Sequence, residues 1–213
     1  ARRQEPLEVL ASDIGGIAVS CDVTDEAQLA SLFATARETY GQVDIGVYSA
    51  GVHAADAIAD ISAEKILPTL QVSFVGALLF FKHAAAAMDK GGSIITVSSL
   101  TARIPGPGLA AYSGARAGID YAIKVAAQEY GAQKIRFNSI AAGLIETDMT
   151  SMFFGMDPVI QAHIDATPSG RMGTLDDMAE AALFLADDSR SGYINAQVLD
   201  LAGGQQTGHL PKF

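Results

Sequence analysis

Short apolar runs alternate with longer stretches of helical periodicity along the whole chain. Five runs are short and rich in β-branched or other apolar residues, as is typical of strands buried in a sheet: 17–21, 43–48, 93–98, 135–140 and 197–201. Five helices are predicted around and between them: 5–14, 26–40, 63–88, 112–130 and 176–186. This alternation predicts an α/β fold, in which a parallel sheet is covered by helices on both faces.

Several predicted helices have ends that the sequence marks. Thr24 is a candidate N-cap for helix 26–40, and Gly41 is placed to end it. Thr174 is placed in the same way before helix 176–186. The segment 150–173 is the least regular, and it is interpreted either as a lid over an apolar ligand or as a packed surface helix.

The chain is predicted to be one domain, residues 1–213. It shows no internal repeat, no low-complexity tract and no linker that would mark a boundary. The longest apolar run, 72–81, is about half of the roughly 20 residues that a membrane-spanning helix needs, so it predicts a buried helix.

Composition excludes several classes of function. The chain has 14 Lys and Arg against 24 Asp and Glu, a formal net charge of −10, which argues against nucleic acid and anionic membranes as partners. It has a single cysteine, so no internal disulfide is possible, and we expect a cytoplasmic setting. No ligand set with metal-site spacing is found, because the four histidines are scattered: His53, His83, His163 and His209.

The candidate chemistry lies after the third predicted strand. Ser99 follows the strand, Tyr112 comes thirteen residues later, and Arg116 lies four further on, on the same helix face. Phenols titrate near pH 10, so a tyrosine works as an acid or base at neutral pH only beside a fixed positive charge. Arg116 is placed to supply that charge. On spacing alone, the interpretation of Tyr112 and Ser99 as ordinary helix and loop residues is favoured over a catalytic one.

Four motifs, in order, resemble the short-chain dehydrogenase/reductase family. They are DIGVYSAG at 44–51, the serine and tyrosine segments at 98–99 and 112–116, IRFNSIAAG at 135–143, and VLDLAGG at 198–204. The resemblance covers essentially the whole chain. It implies a Rossmann-like, doubly wound parallel sheet that binds a nicotinamide dinucleotide. It also implies an oxidoreductase that interconverts an alcohol and a carbonyl group.

The resemblance assigns roles to individual positions. It makes Tyr112 the general acid/base and Ser99 the residue that aligns the substrate oxygen. Asp22, followed by Val23, matches the aspartate that meets the adenine, although on chemistry alone it is as well explained as a charge at a helix N-terminus. The remaining implied cofactor contacts lie beside the ribose and the nicotinamide: Ala50, Gly51, Gly143, Ile145 and Thr147.

Three departures from the family pattern bear on activity. Arg116 stands where the family has its catalytic lysine, Ser73 where it has an asparagine, and Tyr48-Ser49 where it has two asparagines. Arginine keeps the positive charge but does not exchange a proton. Two hypotheses follow: an oxidoreductase in which Arg116 is a static partner of Tyr112, or a non-catalytic dinucleotide-binding or scaffolding relative.

The N-terminal residues bear on the cofactor. Arg2 and Arg3 follow a small residue at the position that distinguishes the cofactors in the family, which favours NADP over NAD; the alternative is a pair of solvated surface arginines. No Gly-x-x-x-Gly-x-Gly loop occurs in the chain, so we expect the natural protein to carry a preceding strand, phosphate loop and helix.

The apolar segments suggest a substrate and a partner. A small or medium apolar alcohol or carbonyl compound is the expected substrate, on the basis of the apolar residues of segment 150–173: Met152, Phe153, Phe154 and Met156. Helices 63–88 and 112–130 are apolar enough to pair across a two-fold axis, which predicts a homodimer or homotetramer. Alternatively, their apolar faces only cover the sheet.

Overall fold

The computed structural model describes residues 1–208. Its centre is a sheet of four parallel strands in the order β1-β2-β3-β4. The strands are β1 (Ile45–Tyr48), β2 (Gly92–Ser99), β3 (Ile135–Ala142) and β4 (Val198–Leu201). The parallel α/β architecture predicted from the sequence is therefore confirmed.

Nine α-helices surround the sheet within residues 1–208. In chain order they are α1 (Gln4–Ile14), α2 (Glu26–Tyr40), α3 (Ala63–Leu70), α4 (Gly76–Ala86), α5 (Ala110–Tyr130), α6 (Ser151–Phe154), α7 (Asp157–Ala166), α8 (Leu175–Ala186) and α9 (Asp188–Ser191). A π-helical turn, Gln71–Val75, joins α3 to α4. Segment 150–173 thus forms two short helices, α6 and α7.

The core has two parts, one on each face of the sheet. Ile94 of β2 and Phe137 of β3 are fully buried in a cluster with residues of α2, α4 and α5. Ile95 and Ile140 face the other way and pack against Leu185 and neighbouring residues of α8. Because side chains alternate along a strand, adjacent isoleucines of β2 serve opposite layers. Burial on both faces explains why these strands are almost wholly apolar.

Strand register brings the site residues to one edge. β2 and β3 pair along their full lengths, from Gly92 opposite Ile135 to Ser99 opposite Ala142. Both strands therefore end at the same level, and Ser99 lies beside the start of the loop that follows β3. In open α/β sheets this carboxyl edge is where ligands bind.

The predicted strand 17–21 is wrong. The segment belongs to no ladder, and a backbone hydrogen bond from Cys21 N to Ala1 O of 2.9 Å connects it to the start of the chain. A strand is stabilised by pairing with a neighbour, and within residues 1–208 no strand pairs with this segment. β1 lies at the edge of the sheet, and the side chains of Ile45 and Val47 on this strand are about half exposed.

The predicted cap of α2 is also one residue off. Asp25, not Thr24, is the N-cap, and its carboxylate accepts hydrogen bonds from the backbone N–H groups of Ala27 and Gln28. The Thr24 hydroxyl donates instead to Asp22, at 2.7 Å. The N-cap at Thr174 is confirmed, because its side chain and that of Asp177 form a reciprocal capping box.

The predicted helix 63–88 is interrupted by the π-helical turn. Helical residues Ala63–Ala86 are long and apolar enough to cross a membrane by length and composition. In the structure, the second half of this stretch packs against the sheet: Ala77, Phe80, Phe81, Ala84 and Ala85 are buried there. That burial accounts for the apolar composition, in agreement with the buried helix predicted for 72–81.

Candidate active site

The candidate active site lies at the carboxyl edge of β1 and β2. Ser99 is the last residue of β2 and is 9% exposed. Its Oγ accepts a hydrogen bond from Thr101 N at 3.2 Å and lies 2.9 Å from the Thr101 hydroxyl. These contacts cap the 3₁₀ turn that leads toward α5, and they hold the serine hydroxyl at a fixed position.

Tyr112 is partly exposed in the first turn of α5, and Arg116 lies one turn later. The guanidinium Cζ of Arg116 is 5.2 Å from the centroid of the Tyr112 ring, within the range of a cation–π contact. Arg116 is only 3% exposed, and its Nη1 donates to Val97 O of β2 at 2.8 Å. The predicted pairing of a tyrosine with a positive charge is therefore present, with the charge fixed by the strand.

Gly51 makes room for this arginine. A Cβ built at Gly51 would overlap Nη2 of Arg116, so only glycine allows the guanidinium to lie there. The family resemblance implies a ribose contact for Ala50 and Gly51. The structure adds a second reason for the glycine, one that follows from the size of an arginine in this position.

Ser73 lies in the π-helical turn, behind the site. It is fully buried, and its Oγ has no hydrogen-bond partner among the described residues. The neighbouring carbonyl of Val72 accepts a hydrogen bond from the hydroxyl of Tyr48. Burial raises the pKa of Tyr48, an effect that the positive charge of Arg116 partly offsets. Tyr48 therefore acts as a neutral donor that supports the π-helical turn.

The site contains one further residue, which no sequence motif marks. His53 is exposed in the loop after β1, and its ring centroid is 5.4 Å from that of Tyr112, with 57° between the ring planes. It appeared in the sequence only as one of four scattered histidines. Its position two residues after Gly51 was the available signal, because that loop leaves the sheet at the same edge as Ser99.

Residues predicted to bind the adenosine end of the cofactor lie together. Arg2 and Asp22 form an ion pair of 3.7 Å and line one cavity of about 440 Å³ with Val72. Hydrogen bonds from Thr24 lower the pKa of Asp22, so its carboxylate stays charged. Arg3 forms an exposed ion pair of 3.4 Å with Asp148.

Val23 contributes to the same region through its backbone. The Val23 carbonyl packs closely against Gly76, just after the π-helical turn. A Cβ built on Gly76 would lie 2.9 Å from the Val23 carbonyl oxygen and 2.7 Å from the Tyr48 hydroxyl oxygen. Asp22 and the π-helical turn are thus in contact through their neighbours. The sequence separation of some fifty residues gave no indication of this proximity.

The residues predicted to face the nicotinamide belong to the loop after β3. Gly143 N donates to Leu201 O at 2.9 Å, and Ile145 is buried and bridges to Gly173. Both line a cavity of about 320 Å³ on the side of α7, which His163 also lines. The backbone N–H of Thr147 donates to the Thr150 hydroxyl at 3.0 Å, which fixes the loop.

The structure therefore groups the predicted residues in three places. Tyr112, Arg116 and Gly51 form one cluster beside the end of β2, with His53 added to it. Of the other predicted residues, Arg2 and Asp22 line one cavity, and Gly143 and Ile145 line another. Within residues 1–208 no cluster of His, Cys, Asp or Glu is suited to a metal; His209 lies outside the described residues.

Comparison with known proteins decides the family. Residues 1–206 match the family model described as enoyl-(acyl carrier protein) reductase. The chain is 33% identical over 197 residues to a short-chain type dehydrogenase/reductase of Picea abies, which covers 90% of this chain and 72% of that protein. The chain belongs to the short-chain dehydrogenase/reductase family. It is therefore an oxidoreductase by family, as the sequence motifs predicted.

Other members of this family show how closely the whole chain follows its relatives. A 3-oxoacyl-[acyl-carrier-protein] reductase of Bos taurus is 32% identical over 210 residues, which cover 97% of this chain and 85% of that protein. The solved structure of a short-chain type dehydrogenase/reductase from Mycobacterium ulcerans superposes with a TM-score of 0.91 at 27% identity. That match covers 100% of this chain and 81% of the other. The Rossmann-like fold is thus confirmed.

Proposed function

We propose that this short-chain dehydrogenase/reductase uses NADP to interconvert an alcohol and a carbonyl group on a small or medium apolar substrate. The observation that carries the proposal is the cluster of Tyr112 and Arg116 beside the end of β2. A phenol beside a fixed cation is suited to proton transfer at a substrate oxygen. Ser99 ends β2 at the same edge of the sheet, where its hydroxyl would meet that oxygen.

The proton step follows from the residues of the cluster. In reduction, the Tyr112 hydroxyl donates its proton to the carbonyl oxygen, which also accepts a hydrogen bond from Ser99. The Arg116 guanidinium then stabilises the phenolate, since its own charge is permanent. When bound, the dinucleotide supplies the hydride. In oxidation, the same phenolate accepts the proton of the alcohol.

The chain has suitable groups for most of the cofactor. Arg2 and Arg3 are each about three-quarters exposed, so their N–H donors are open to a 2′-phosphate. Asp22 with Val23 would contact the adenine, and Ala50 with Gly51 the ribose. The nicotinamide end would lie against the loop after β3, at Gly143, Ile145 and Thr147.

Two exposed methionines support an apolar substrate. Met152 of α6 is 64% exposed and Met156, just before α7, is 50% exposed. Methionine adapts its shape to apolar surfaces, so exposed methionines on this segment favour an apolar ligand. We therefore infer that α6 and α7 cover the substrate.

The test is substitution of Tyr112 by Phe, which removes the phenol and little else. With reduced dinucleotide and a panel of carbonyl compounds, turnover followed at the reduced-nicotinamide absorbance band is expected to fall by about 10³-fold, within the range that proton transfer contributes. Tyr193→Phe is the matched control, since Tyr193 is fully exposed between α9 and β4 and lies outside the site.

The non-catalytic alternative rests on the departures from the family pattern at Arg116, Ser73 and Tyr48. It predicts that the wild-type chain binds dinucleotide, measured by fluorescence titration, but turns over no substrate in the panel. Such a result would leave the family assignment intact and overturn the proposed activity.

We further propose that the protein is a homodimer or homotetramer. α4 and α5 expose apolar side chains on one face: Leu78, Tyr121 and Val125 are 40–68% exposed and line a common groove. A second copy covering this groove would bury it across a two-fold axis. Val125→Glu is expected to yield a monomer by light scattering after gel filtration, whereas an oligomer unchanged by the substitution would exclude this face.

A further inference from the structure

A phenol that gives up a proton in every turnover has to be reprotonated before the next. Arg116, the charged group that touches Tyr112, is effectively never deprotonated, so it stabilises the phenolate but passes on no proton. The hydroxyl of Tyr48 is committed to Val72 O, and burial raises its pKa. Neither group behind Tyr112 therefore supplies a path to solvent.

His53 lies on the solvent side of the cluster. Its ring is exposed, it contacts the ring of Tyr112 with centroids 5.4 Å apart, and it comes from a different element, the loop after β1. Imidazole is the side chain that ordinarily changes charge between about pH 5 and 8, which suits it to exchange protons with water. The imidazole ring is thus open to solvent and in contact with the ring of Tyr112.

We propose that His53 is the group through which Tyr112 exchanges its proton with solvent. The inference rests on the proposed role of Tyr112 as acid/base. In reduction, the Tyr112 O–H bond breaks and its proton forms the new O–H bond of the alcohol, while the carbonyl carbon receives the hydride of the reduced nicotinamide. The phenolate then takes a proton from the His53 imidazolium, and the neutral imidazole takes one from water. Oxidation runs these steps in reverse.

The charged residues around Tyr112 and His53 influence the proposed proton exchange. Arg116 of α5 faces the Tyr112 ring, and on the loop itself Asp56 is paired with Lys65 of α3 at 2.5 Å, three residues beyond His53. The fixed cation at Arg116 favours transfer of a proton from the phenol, while the Asp56 charge is balanced by its own partner. The titrating group in this proposal is the imidazole.

The first test is the pH profile of His53→Asn, a substitution that keeps a polar side chain but removes the titrating ring. At pH 7 kcat is expected to fall by about tenfold, below the 10²–10⁴-fold of a direct acid or base. In the wild type, kcat for reduction should decline and kcat for oxidation should rise with increasing pH, and both dependences should weaken in the variant. Added imidazole should restore part of the rate. His83→Asn, on α4 and bonded to Glu26, is the matched control.

The second test needs no turnover. Nuclear magnetic resonance titration of the His53 ring, with no substrate or dinucleotide added, is expected to give a different midpoint in Tyr112→Phe from that in the wild type, because the substitution removes the hydroxyl with which the imidazolium would interact. If Tyr112→Phe is inactive but His53→Asn keeps the wild-type pH profile, or changes only KM, His53 is not the exchange group while the proposed function stands. If Tyr112→Phe retains full activity, the proposed function itself fails.

Discussion

The guanidinium of Arg116 lies over the ring of Tyr112, with Cζ 5.2 Å from the ring centroid. The two residues are one helical turn apart on α5, and a hydrogen bond of 2.8 Å from Arg116 to Val97 O ties the charge to β2. The positive charge of Arg116 is thereby held at a fixed position. Substitutions of Arg116 can separate the effect of its charge on turnover from the effect of its shape.

Arg116→Met removes the positive charge and is expected to lower kcat by about 10²-fold, because the phenolate loses its stabilising partner. Arg116→Lys keeps the charge, and we expect its turnover to remain within about tenfold of the wild type. Steady-state kinetics with one carbonyl substrate measures both. Equal rates for Arg116→Met and the wild type would show that the charge plays no part.

Gly51→Ala is expected to displace the Arg116 guanidinium while leaving the arginine itself unchanged. The new methyl group would overlap Nη2 of Arg116 and displace the guanidinium from Tyr112. We expect kcat to fall by about tenfold or more, since misplacing a catalytic group by about 1 Å costs up to 10²-fold. Gly114→Ala is the matched control, because a Cβ there meets nothing within 4 Å. Similar kinetics for the two variants would contradict the close approach.

The double substitution Arg2→Ala, Arg3→Ala tests cofactor choice. The loss of two exposed cations is expected to weaken NADPH binding by about tenfold while NADH binding is unchanged, since one charge-assisted hydrogen bond contributes about 1.5 kcal/mol or more. Both ion pairs of these arginines are exposed, so stability should change by less than about 1 kcal/mol. Fluorescence titration provides the affinities, and Lys90→Ala is an exposed control. Equal weakening for both dinucleotides would point to general electrostatics.

The pattern of apolar residues predicted most of the helices and strands, but it could not predict contacts between segments that are distant in the sequence. Buried strands such as β2 and β3 are marked by their apolar runs, because both of their faces are covered. Segment 17–21 has the same pattern but forms no ladder, since pairing depends on a neighbour and not on the segment itself. Tyr112 and Arg116 were predictable because helix geometry relates them. His53 was not, because its contact depends on where the loop after β1 meets α5.

Asp120 gives a prediction about stability, two turns beyond Tyr112 on α5. Its carboxyl is 9% exposed, accepts a hydrogen bond of 2.8 Å from the Ser139 hydroxyl, and leaves Oδ2 without a partner among the described residues. Burial raises its pKa, an effect that Ser139, Ser98 and the charges of Arg103 and Arg116 only partly offset. Above its unfolded pKa the folded protein holds more protons at this site, so the site's contribution to stability falls as pH rises through the folded pKa.

Asp120→Asn should remove the loss of stability that ionisation of Asp120 causes as pH rises. The variant is expected to be more stable than the wild type at neutral pH by about 1 kcal/mol, the scale of one unsatisfied buried polar group, and the two should converge toward acidic pH.

Asp177 provides the opposite case, because hydrogen bonds from Arg171 and Thr174 lower its pKa, so its stabilisation is present at neutral pH and lost as pH falls. Asp177→Asn should therefore destabilise at pH 7 and do less at acidic pH. Urea unfolding across the acidic and neutral range distinguishes them, and parallel pH dependences would show that burial of Asp120 carries no such penalty.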